Sequence, residues 1–277
     1  MTPIHATLEL ARRVDRAEID FCALAGTVGS PSGVVSLEAG GGRALFGRAG
    51  SPLNKVLGIG LHGPVSERDL DRIEAFYGER RAPVQIELCP LAASNVAPRL
   101  IARGYVVQAF ENELARTMPR AASESVDGEA VRVTLARPDQ DKLWIEVTAE
   151  GFAAFEPPVG GGAPGEVIGI DVMVEMMSQF AHPRIRRYLA WVGDEPAGGG
   201  AAWTHEGVLG IFGTATLPAF RRRGVQRAVT LQSMLDADEA DLAIATTAPG
   251  STSQRTFERL GFNVIYTRVI FVKDAPV

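Results

Sequence analysis

The sequence repeats itself at a fixed offset of 157 residues, and this repeat constrains the fold more than any other feature. Gly104 and Tyr105 in LIARGYVVQAFENEL align with Gly261 and Phe262 in FERLGFNVIYTRVIF (261 − 104). Without a gap, the same offset aligns residues 56–60 with 213–217, 67–76 with 224 onward, and 84–88 with 241–245. Duplication of one supersecondary unit is the interpretation we favour. The alternative is that two unrelated α/β segments share a glycine–aromatic turn.

Strand and helix patterns alternate along the chain, which predicts the α/β (α+β) class with a mixed sheet. The polar stretch PRAASESVDGE predicts a linker over 119–129, between domains at 1–118 and 130–277. In the second domain we expect a short strand near 200–204, a strand over 208–217, a helix ending near 237 and a closing hairpin over 262–272.

Composition narrows the class of protein. A net charge of −5 argues against a general nucleic-acid binder, so the arginines near residue 222 form a local feature. No signal-like segment and no membrane-length apolar run is seen, which predicts a cytoplasmic protein without a membrane partner. Cys22 and Cys89 are expected to be buried free thiols, and the four scattered histidines predict no metal site.

The segment LGIFGTATLPAFRRRGVQRAVTLQSML predicts an anion site, because an apolar strand runs into an arginine-rich glycine turn that opens a helix. The amides of residues 222–228 would point along the first helical turn, where a negative group is favoured by about 0.3–2 kcal/mol. Arg221, Arg222, Arg223 and Arg227 add donors suited to phosphate oxygens. The implied ligand is a small phosphorylated cofactor.

The first copy of the repeat differs at this turn. Residues 64–69 read PVSERD where residues 221–226 read RRRGVQ. Glu67 and Asp69 would satisfy the helix dipole with the protein's own charge and repel a pyrophosphate. We therefore expect one cofactor site, in the second half.

The strand, the motif ATLPAFRRRGVQRAV and the later FERLGF resemble the acyl-CoA-binding core of the GNAT (Gcn5-related N-acetyltransferase) family over about 131–273. The first half resembles a degenerate copy without a cofactor loop. Arg221 and Gly224 match the family motif, whereas Gln226 replaces a small residue and could crowd the pyrophosphate or bend aside. The resemblance implies two GNAT-like domains in tandem, each with a mixed, mostly antiparallel sheet flanked by helices.

The resemblance also implies the chemistry, which is acetyl transfer from acetyl-CoA to a primary amine of a small molecule or peptide. An amide near Gly213 or Thr214 would polarise the thioester, at a bulge that Gly213 suits. The cofactor-binding residues implied are Ala215, Thr216, Leu217, Arg222, Arg223, Gly224, Val225, Gln226, Arg227, Ala228 and Ser253.

The sequence leaves several candidates for the groups that transfer protons. A strand glutamate found in some family members has no counterpart here, since Gly210 stands near that position. Candidate bases are Glu175, Asp171, Glu206 and His205, with a water chain as the alternative. The family's tyrosine acid corresponds to Phe257, so Tyr266, Ser253 or water would protonate the thiolate, or the thiolate would leave unassisted. The catalytic candidates are therefore Thr214, Glu175 and Tyr266.

Two other functions remain open at this stage. One is a non-catalytic acyl-CoA-binding sensor or regulatory module, motivated by Phe257, Gln226 and the missing strand glutamate. The other is an interaction scaffold that uses the duplicated halves. A monomer or a homodimer is expected.

Overall fold

The computed structural model describes residues 4–30, 33–118, 131–154 and 169–275. Contacts divide the chain into two compact units. The N-terminal unit comprises His5–Glu113 and Val264–Val277, and the C-terminal unit comprises Met1–Ile4 and Leu114–Asn263. The predicted linker over 119–129 lies outside the described residues.

The first copy of the repeat folds into three helices and five strands. They are α1 (Leu8–Ala25), β1 (Val35–Ala39), β2 (Gly42–Phe46), β3 (Val56–Leu57), α2 (Glu67–Gly78), β4 (Val84–Leu88), α3 (Val96–Ala102) and β5 (Val106–Thr117).

The second copy supplies the remaining elements. They are β6 (Arg132–Leu135), α4 (Asp141–Ala153), α5 (Ile170–Ser178), β7 (Arg186–Val192), β8 (Glu195–His205), β9 (Val208–Thr216), α6 (Val225–Leu235), β10 (Leu242–Thr247), α7 (Thr252–Arg259) and β11 (Asn263–Lys273).

The elements follow the predicted repeat closely. Shifted by 157, α3 would cover 253–259 and β5 would cover 263–274, which match α7 and β11 to within a residue. The glycines that end the two short helices share one backbone conformation, with φ of +84° at Gly104 and +82° at Gly261. Left-handed φ at both turns explains why glycine recurs there. The duplication is confirmed at the level of secondary structure.

Each unit has a mixed sheet, as predicted. The strand order is β1-β2-β3-β4-β11-β5 in the N-terminal unit and β5-β10-β9-β8-β7-β6 in the C-terminal unit. Strand β5 contributes to both because the unit boundary falls between Glu113 and Leu114. The pairs β3–β4 and β9–β10 are parallel, whereas β1–β2, β4–β11, β6–β7, β7–β8 and β8–β9 are antiparallel.

The last strand differs from the sequence prediction. In place of a hairpin over 262–272, β11 is one strand of 11 residues that pairs antiparallel with β4, Val269 opposite Leu88. It therefore groups with the N-terminal unit, whereas the predicted boundary assigned it to the second domain. Its partner lies about 180 residues earlier, so no local pattern announces the pairing. The strand expected near 200–204 is also longer, running from Glu195 to His205.

Each unit has its own apolar core. In the N-terminal unit, Leu70, Ile73 and Tyr77 of α2 are buried, and the Tyr77 hydroxyl donates to the Leu45 carbonyl at 2.9 Å. In the C-terminal unit, Val225 and Val229 are among the core residues of α6. These positions follow the helical period, which is why the sequence indicates them.

Three compositional expectations can be compared with the fold. Cys22 and Cys89 are buried free thiols, as predicted. No helix among the described residues is long and apolar enough to span a bilayer. The described residues also contain no group of His, Cys, Asp and Glu placed to hold a metal ion.

Candidate functional site

Strand β9 carries a bulge at the position where the sequence predicts one. Gly199 pairs with Ala215 and Ala201 pairs with Phe212, so β9 has one residue more than β8 across this step. Gly213 has φ of +55°, the left-handed conformation that glycine adopts most readily. The bulge leaves backbone groups near Gly213 and Thr214 outside the regular ladder.

Close to the bulge, the edge of β9 that faces β10 loses its strand partner. Within the described residues, the parallel ladder between β9 and β10 ends at Gly210, opposite Ile244, although β9 continues to Thr216. On its other edge β9 stays paired with β8 as far as Thr216, and the Leu217 amide donates to the Ala197 carbonyl at 3.0 Å. The edge of Ile211–Thr216 that faces away from β8 can therefore pair with an extended ligand.

This open edge leads into the N-terminus of α6. Gly224 is the N-cap, with φ of +82°, and no side chain caps the helix. The first helical bond runs from the Ala228 amide to the Gly224 carbonyl at 2.9 Å, so the amides of Val225, Gln226 and Arg227 precede it. Arg222 is also left-handed, with φ of +63°. The turn thus presents backbone N–H groups at a positive helix end, as an anion site requires.

The turn's arginines have different positions. Arg221 donates from Nη2 to the Ala154 carbonyl at 2.6 Å, which ties the turn to the end of α4. The Arg223 guanidinium lies 5.5 Å from the centre of the Phe220 ring. Arg222, Arg223 and Arg227 are exposed, so their charged ends can reach an anion held by the turn.

Gln226 is hydrogen-bonded to the neighbouring helix α7. Its Nε2 donates to the Ser253 Oγ at 2.7 Å. The two possibilities raised by the sequence, that Gln226 crowds the pyrophosphate or bends aside, stay predictions. Ser253 is the hydrogen-bond partner of Gln226 here, and its predicted contact with the cofactor stays a prediction.

The predicted catalytic residues are not brought together in one unit. Thr214 lies in the bulge, and its buried Oγ1 has no hydrogen-bond partner among the described residues. Glu175 is exposed on α5, two residues before the buried Met177, and two residues turn a helix by about 200°. Tyr266 belongs to the N-terminal unit, where burial raises the pKa of its hydroxyl.

Phe257 lies in the core, as its lack of a polar group suggests. It is 3% exposed and packs edge-on against Phe262, with ring centres 5.0 Å apart. It has no proton to donate, so the position of the family's tyrosine acid is occupied by an apolar core residue here.

Three glycines without a predicted role in the site lie where helices pack closely on strands β8 and β9. A Cβ on Gly198 would lie 2.7 Å from Val225, and one on Gly200 would lie 2.8 Å from Val229. A Cβ on Gly151 of α4 would lie 2.9 Å from the Ala215 side chain. Helices on both faces of the strands therefore approach closely. The run GGG over 198–200 was the available signal.

The equivalent helix of the N-terminal unit is capped by Ser66 and Asp69, whereas Glu67, the other acid predicted to satisfy this helix end, pairs with Arg99 and Arg103. Ser66 Oγ accepts from the Asp69 amide at 3.1 Å, and Asp69 Oδ2 accepts from the Ser66 amide at 3.0 Å. Hydrogen bonds from the Ser66 hydroxyl and amide lower the pKa of Asp69. The amides that would hold an anion are thus occupied by a carboxylate and a hydroxyl.

The comparisons with known proteins identify the fold. No protein-family model matches the sequence, and no curated protein matches it. Solved structures do match over almost the whole chain. A GCN5-related N-acetyltransferase from Kribbella flavida superposes with a TM-score of 0.64 at 20% identity, covering 97% of this chain and 96% of that one.

Two further structures have the same fold. A tandem GNAT protein from the clavulanic acid biosynthesis pathway has a TM-score of 0.53 at 14% identity, covering 100% of this chain and 98% of that one. A GCN5-related N-acetyltransferase from Sphaerobacter thermophilus has a TM-score of 0.52 at 15% identity, covering 88% and 76%. The chain therefore has the tandem GNAT fold.

Proposed function

We propose that this protein is an acetyl-CoA-dependent N-acetyltransferase acting on a primary amine of a small molecule or peptide. One observation carries the proposal. The open edge of β9 includes the bulge at Gly213 and is followed, after the short 3-10 turn Pro218–Phe220, by the uncapped N-terminus of α6 at Gly224. An extended pantetheine arm that ends in a diphosphate matches a strand edge followed by an anion site.

The residues of this groove have distinct roles in the proposal. The amides of 222–228 and the exposed arginines Arg222, Arg223 and Arg227 hold the diphosphate, while Ala215, Thr216 and Leu217 line the arm. The ligand supplies an activated thioester. Backbone N–H groups at Gly213 and Thr214, outside the regular ladder, stabilise the negative charge that develops on the thioester oxygen.

Proton transfer in this proposal runs mainly through solvent. An amine with a pKa of about 10.4 must lose a proton before it attacks. Gly210 offers no carboxylate on the strand, and Glu175, Asp171 and Glu206 are all exposed. A thiol with a pKa of about 8.5 is an acceptable leaving group without an acid, which suits the apolar Phe257.

The test combines calorimetry with coenzyme A and turnover of acetyl-CoA against a panel of amines. Arg222→Glu plus Arg223→Glu should weaken coenzyme A binding at least tenfold, because two phosphate-facing charges are reversed. Lys142→Glu plus Arg259→Glu is the control, since it changes the net charge equally at exposed positions on other helices. Equal affinity of the two double variants would contradict the proposal.

A non-catalytic acyl-CoA sensor is the second candidate. It is favoured by Phe257 in the core and by Gly210 in place of a strand carboxylate. Tight coenzyme A binding without thiol release, across the whole amine panel, would select this function over acetyl transfer.

A further inference from the structure

The N-terminal unit contains a cleft of about 460 Å³, distant in sequence from the acetyl-transfer groove. Helix α1, the β1–β2 turn, Gly58 and the start of α2 form its walls, and all of them belong to one compact unit. At the repeat offset, Gly58 aligns with Ala215 and Asp69 aligns with Gln226. The cleft is therefore the first copy's counterpart of the proposed acyl-CoA groove.

The basic groups around this cleft are engaged with protein partners. Arg12 donates from Nε and Nη2 to the Leu61 carbonyl at 3.0 and 2.8 Å. Arg43 pairs with Glu38 at 3.1 Å, and Arg72 lies 4.0 Å from Asp69. Because α2 is also capped by Ser66 and Asp69, its N-terminus does not offer the uncapped helix start found at α6.

Asp15 is the unsatisfied group in the cleft. It lines the wall, is 4% exposed, and its Oδ2 accepts no hydrogen bond within the described part of the chain. Buried carboxylate oxygens normally have a donor. The nearby Arg268 guanidinium is shared by Glu18 at 2.6 Å and Glu87 at 2.7 Å, so its charge is already opposed.

We propose that this cleft is a second ligand site, which binds a small molecule carrying a primary ammonium group against Asp15. An ammonium brings three donors and a positive charge to a carboxyl whose Oδ2 has no donor within the described residues, and whose other interactions are a backbone hydrogen bond from Gly58 and the attraction of Arg268. Three further acidic side chains and four arginines line the same cleft, namely Asp20, Glu38, Asp69, Arg12, Arg16, Arg43 and Arg72, so it is Asp15 that distinguishes the site. The proposal does not depend on acetyl transfer, since every residue involved lies in the N-terminal unit.

The first experiment measures ligand binding to the full chain. Methylamine, butylamine, putrescine and cadaverine are titrated by calorimetry and thermal shift, beside alcohols of the same carbon chain as uncharged controls. At least one amine should bind and raise the melting temperature, while its alcohol should not. Binding of no amine, or equal binding of amine and alcohol, would overturn the proposal.

The second experiment uses two variants. Asp15→Asn keeps the shape and removes the charge, so amine affinity should fall at least tenfold. Glu9→Gln, at the exposed start of the same helix and outside the cleft lining, should change affinity less than threefold. Circular dichroism checks that both variants fold. Equal effects of the two substitutions would show that Asp15 is not the counter-ion.

A third measurement on the unmodified protein keeps the proposal falsifiable if Asp15→Asn does not fold. Burial raises the pKa of Asp15 to about 7, Arg268 lowers it, and Glu18 and Glu87 raise it. An ammonium stabilises the carboxylate, so binding should release more protons at pH 6 than at pH 8. Calorimetry in buffers of different ionisation enthalpy counts these protons.

Other titratable groups around Asp15 define the control for the proton count. Tyr266, Cys89 and Glu113 also interact electrostatically with Asp15. Burial raises the pKa of each above its ordinary value, which for Tyr266 and Cys89 lies further above this pH range. His62 also lines the cleft, so the count is repeated in His62→Gln. Absence of proton release at pH 6 in the unmodified protein, or its loss in His62→Gln, would contradict the role of Asp15.

Discussion

Single residues with unusual backbone angles define the proposed cofactor groove. Gly213, Arg222 and Gly224 all have positive φ, and they lie within 12 positions of one another along the chain. Such angles cost about 1–2 kcal/mol for a residue with a Cβ. Their concentration at a strand bulge and a helix start marks the groove as a site where backbone geometry matters more than side-chain identity.

Gly224→Ala should weaken coenzyme A binding at least tenfold while reducing the free energy of unfolding by about 1 kcal/mol. Gly193→Ala is a matched control, because Gly193 is also left-handed, with φ of +61°, and an added Cβ meets nothing within 4 Å at either position. The control should lose similar stability and keep its affinity. Urea unfolding and calorimetry measure the two effects. Loss of affinity in both variants would indicate general destabilisation.

Thr214→Val should lower turnover without lowering stability. The Oγ1 atom has no described hydrogen-bond partner, so removing it relieves an unsatisfied buried group and leaves the unfolding free energy equal or higher by about 1 kcal/mol. If the hydroxyl orients the reacting thioester, kcat falls about tenfold and KM for acetyl-CoA stays the same. Unchanged kcat would exclude Thr214 from the reaction.

At the level of elements, the equivalent helices α2 and α6 differ in how their N-terminal backbone amides are satisfied. Helix α2 is capped by Ser66 and Asp69, whereas α6 begins at Gly224 without a side-chain cap. A capped helix is satisfied on its own, and an uncapped one leaves amides for a ligand. This difference decides which unit we expect to bind coenzyme A.

Ser66→Ala should reduce the free energy of unfolding by about 1 kcal/mol, because the Asp69 amide loses its acceptor. Ser36→Ala, at an exposed position of β1, should change it by less than about 0.5 kcal/mol. Chemical denaturation distinguishes the two. A loss of stability no greater than that of the control would show that the cap contributes little.

At the level of the whole molecule, the N-terminal unit buries a charge network that joins distant segments. Arg268 of β11 pairs with Glu18, Glu87 and Glu113, and Lys55 pairs with Glu87 at 2.5 Å. Burial raises the pKa of Glu113 and of the neighbouring Asp15. The Glu18 carboxylate also raises both, whereas the Arg268 guanidinium lowers them. Folding of this unit is therefore linked to pH.

The Asp15 carboxyl should make stability fall as pH rises. Its pKa is about 7 in the folded chain against an ordinary 3.8, so between these values only the folded form keeps the proton. Glu87, whose pKa is lowered to about 2 despite burial because Lys55 and Arg268 attract its charge, acts in the opposite sense and only in acid. Asp15→Asn should be more stable than the unmodified protein at pH 8.

The expected gain for Asp15→Asn is about 2–4 kcal/mol at pH 8 and less than about 1 kcal/mol at pH 4. Urea unfolding at several pH values measures it, with Glu9→Gln of α1 as the exposed counterpart. A gain that is the same at both pH values would contradict the assignment of the titration to Asp15.

Much of this organisation was predictable because local rules dictate it. The offset between Gly104 and Gly261 predicts two copies, and the arginine-rich turn before Gly224 predicts the helix start that the structure shows. The contacts of Arg221 with Ala154 and of Gln226 with Ser253 were not predictable, since their partners lie 67 and 27 residues away. The same holds for the cleft around Asp15.

The sequence alone determined the duplicated pattern of strands and helices and the contrast between an acidic and an arginine-rich helix start, because propensity, glycine turns and charges near a helix end act over a few neighbouring residues. Only the tertiary structure decided that β11 pairs with β4, that the edge of β9 opens beyond Gly210, and that Asp15 is buried beside a cleft. Those features arise from packing between segments far apart in the chain, which no local pattern encodes.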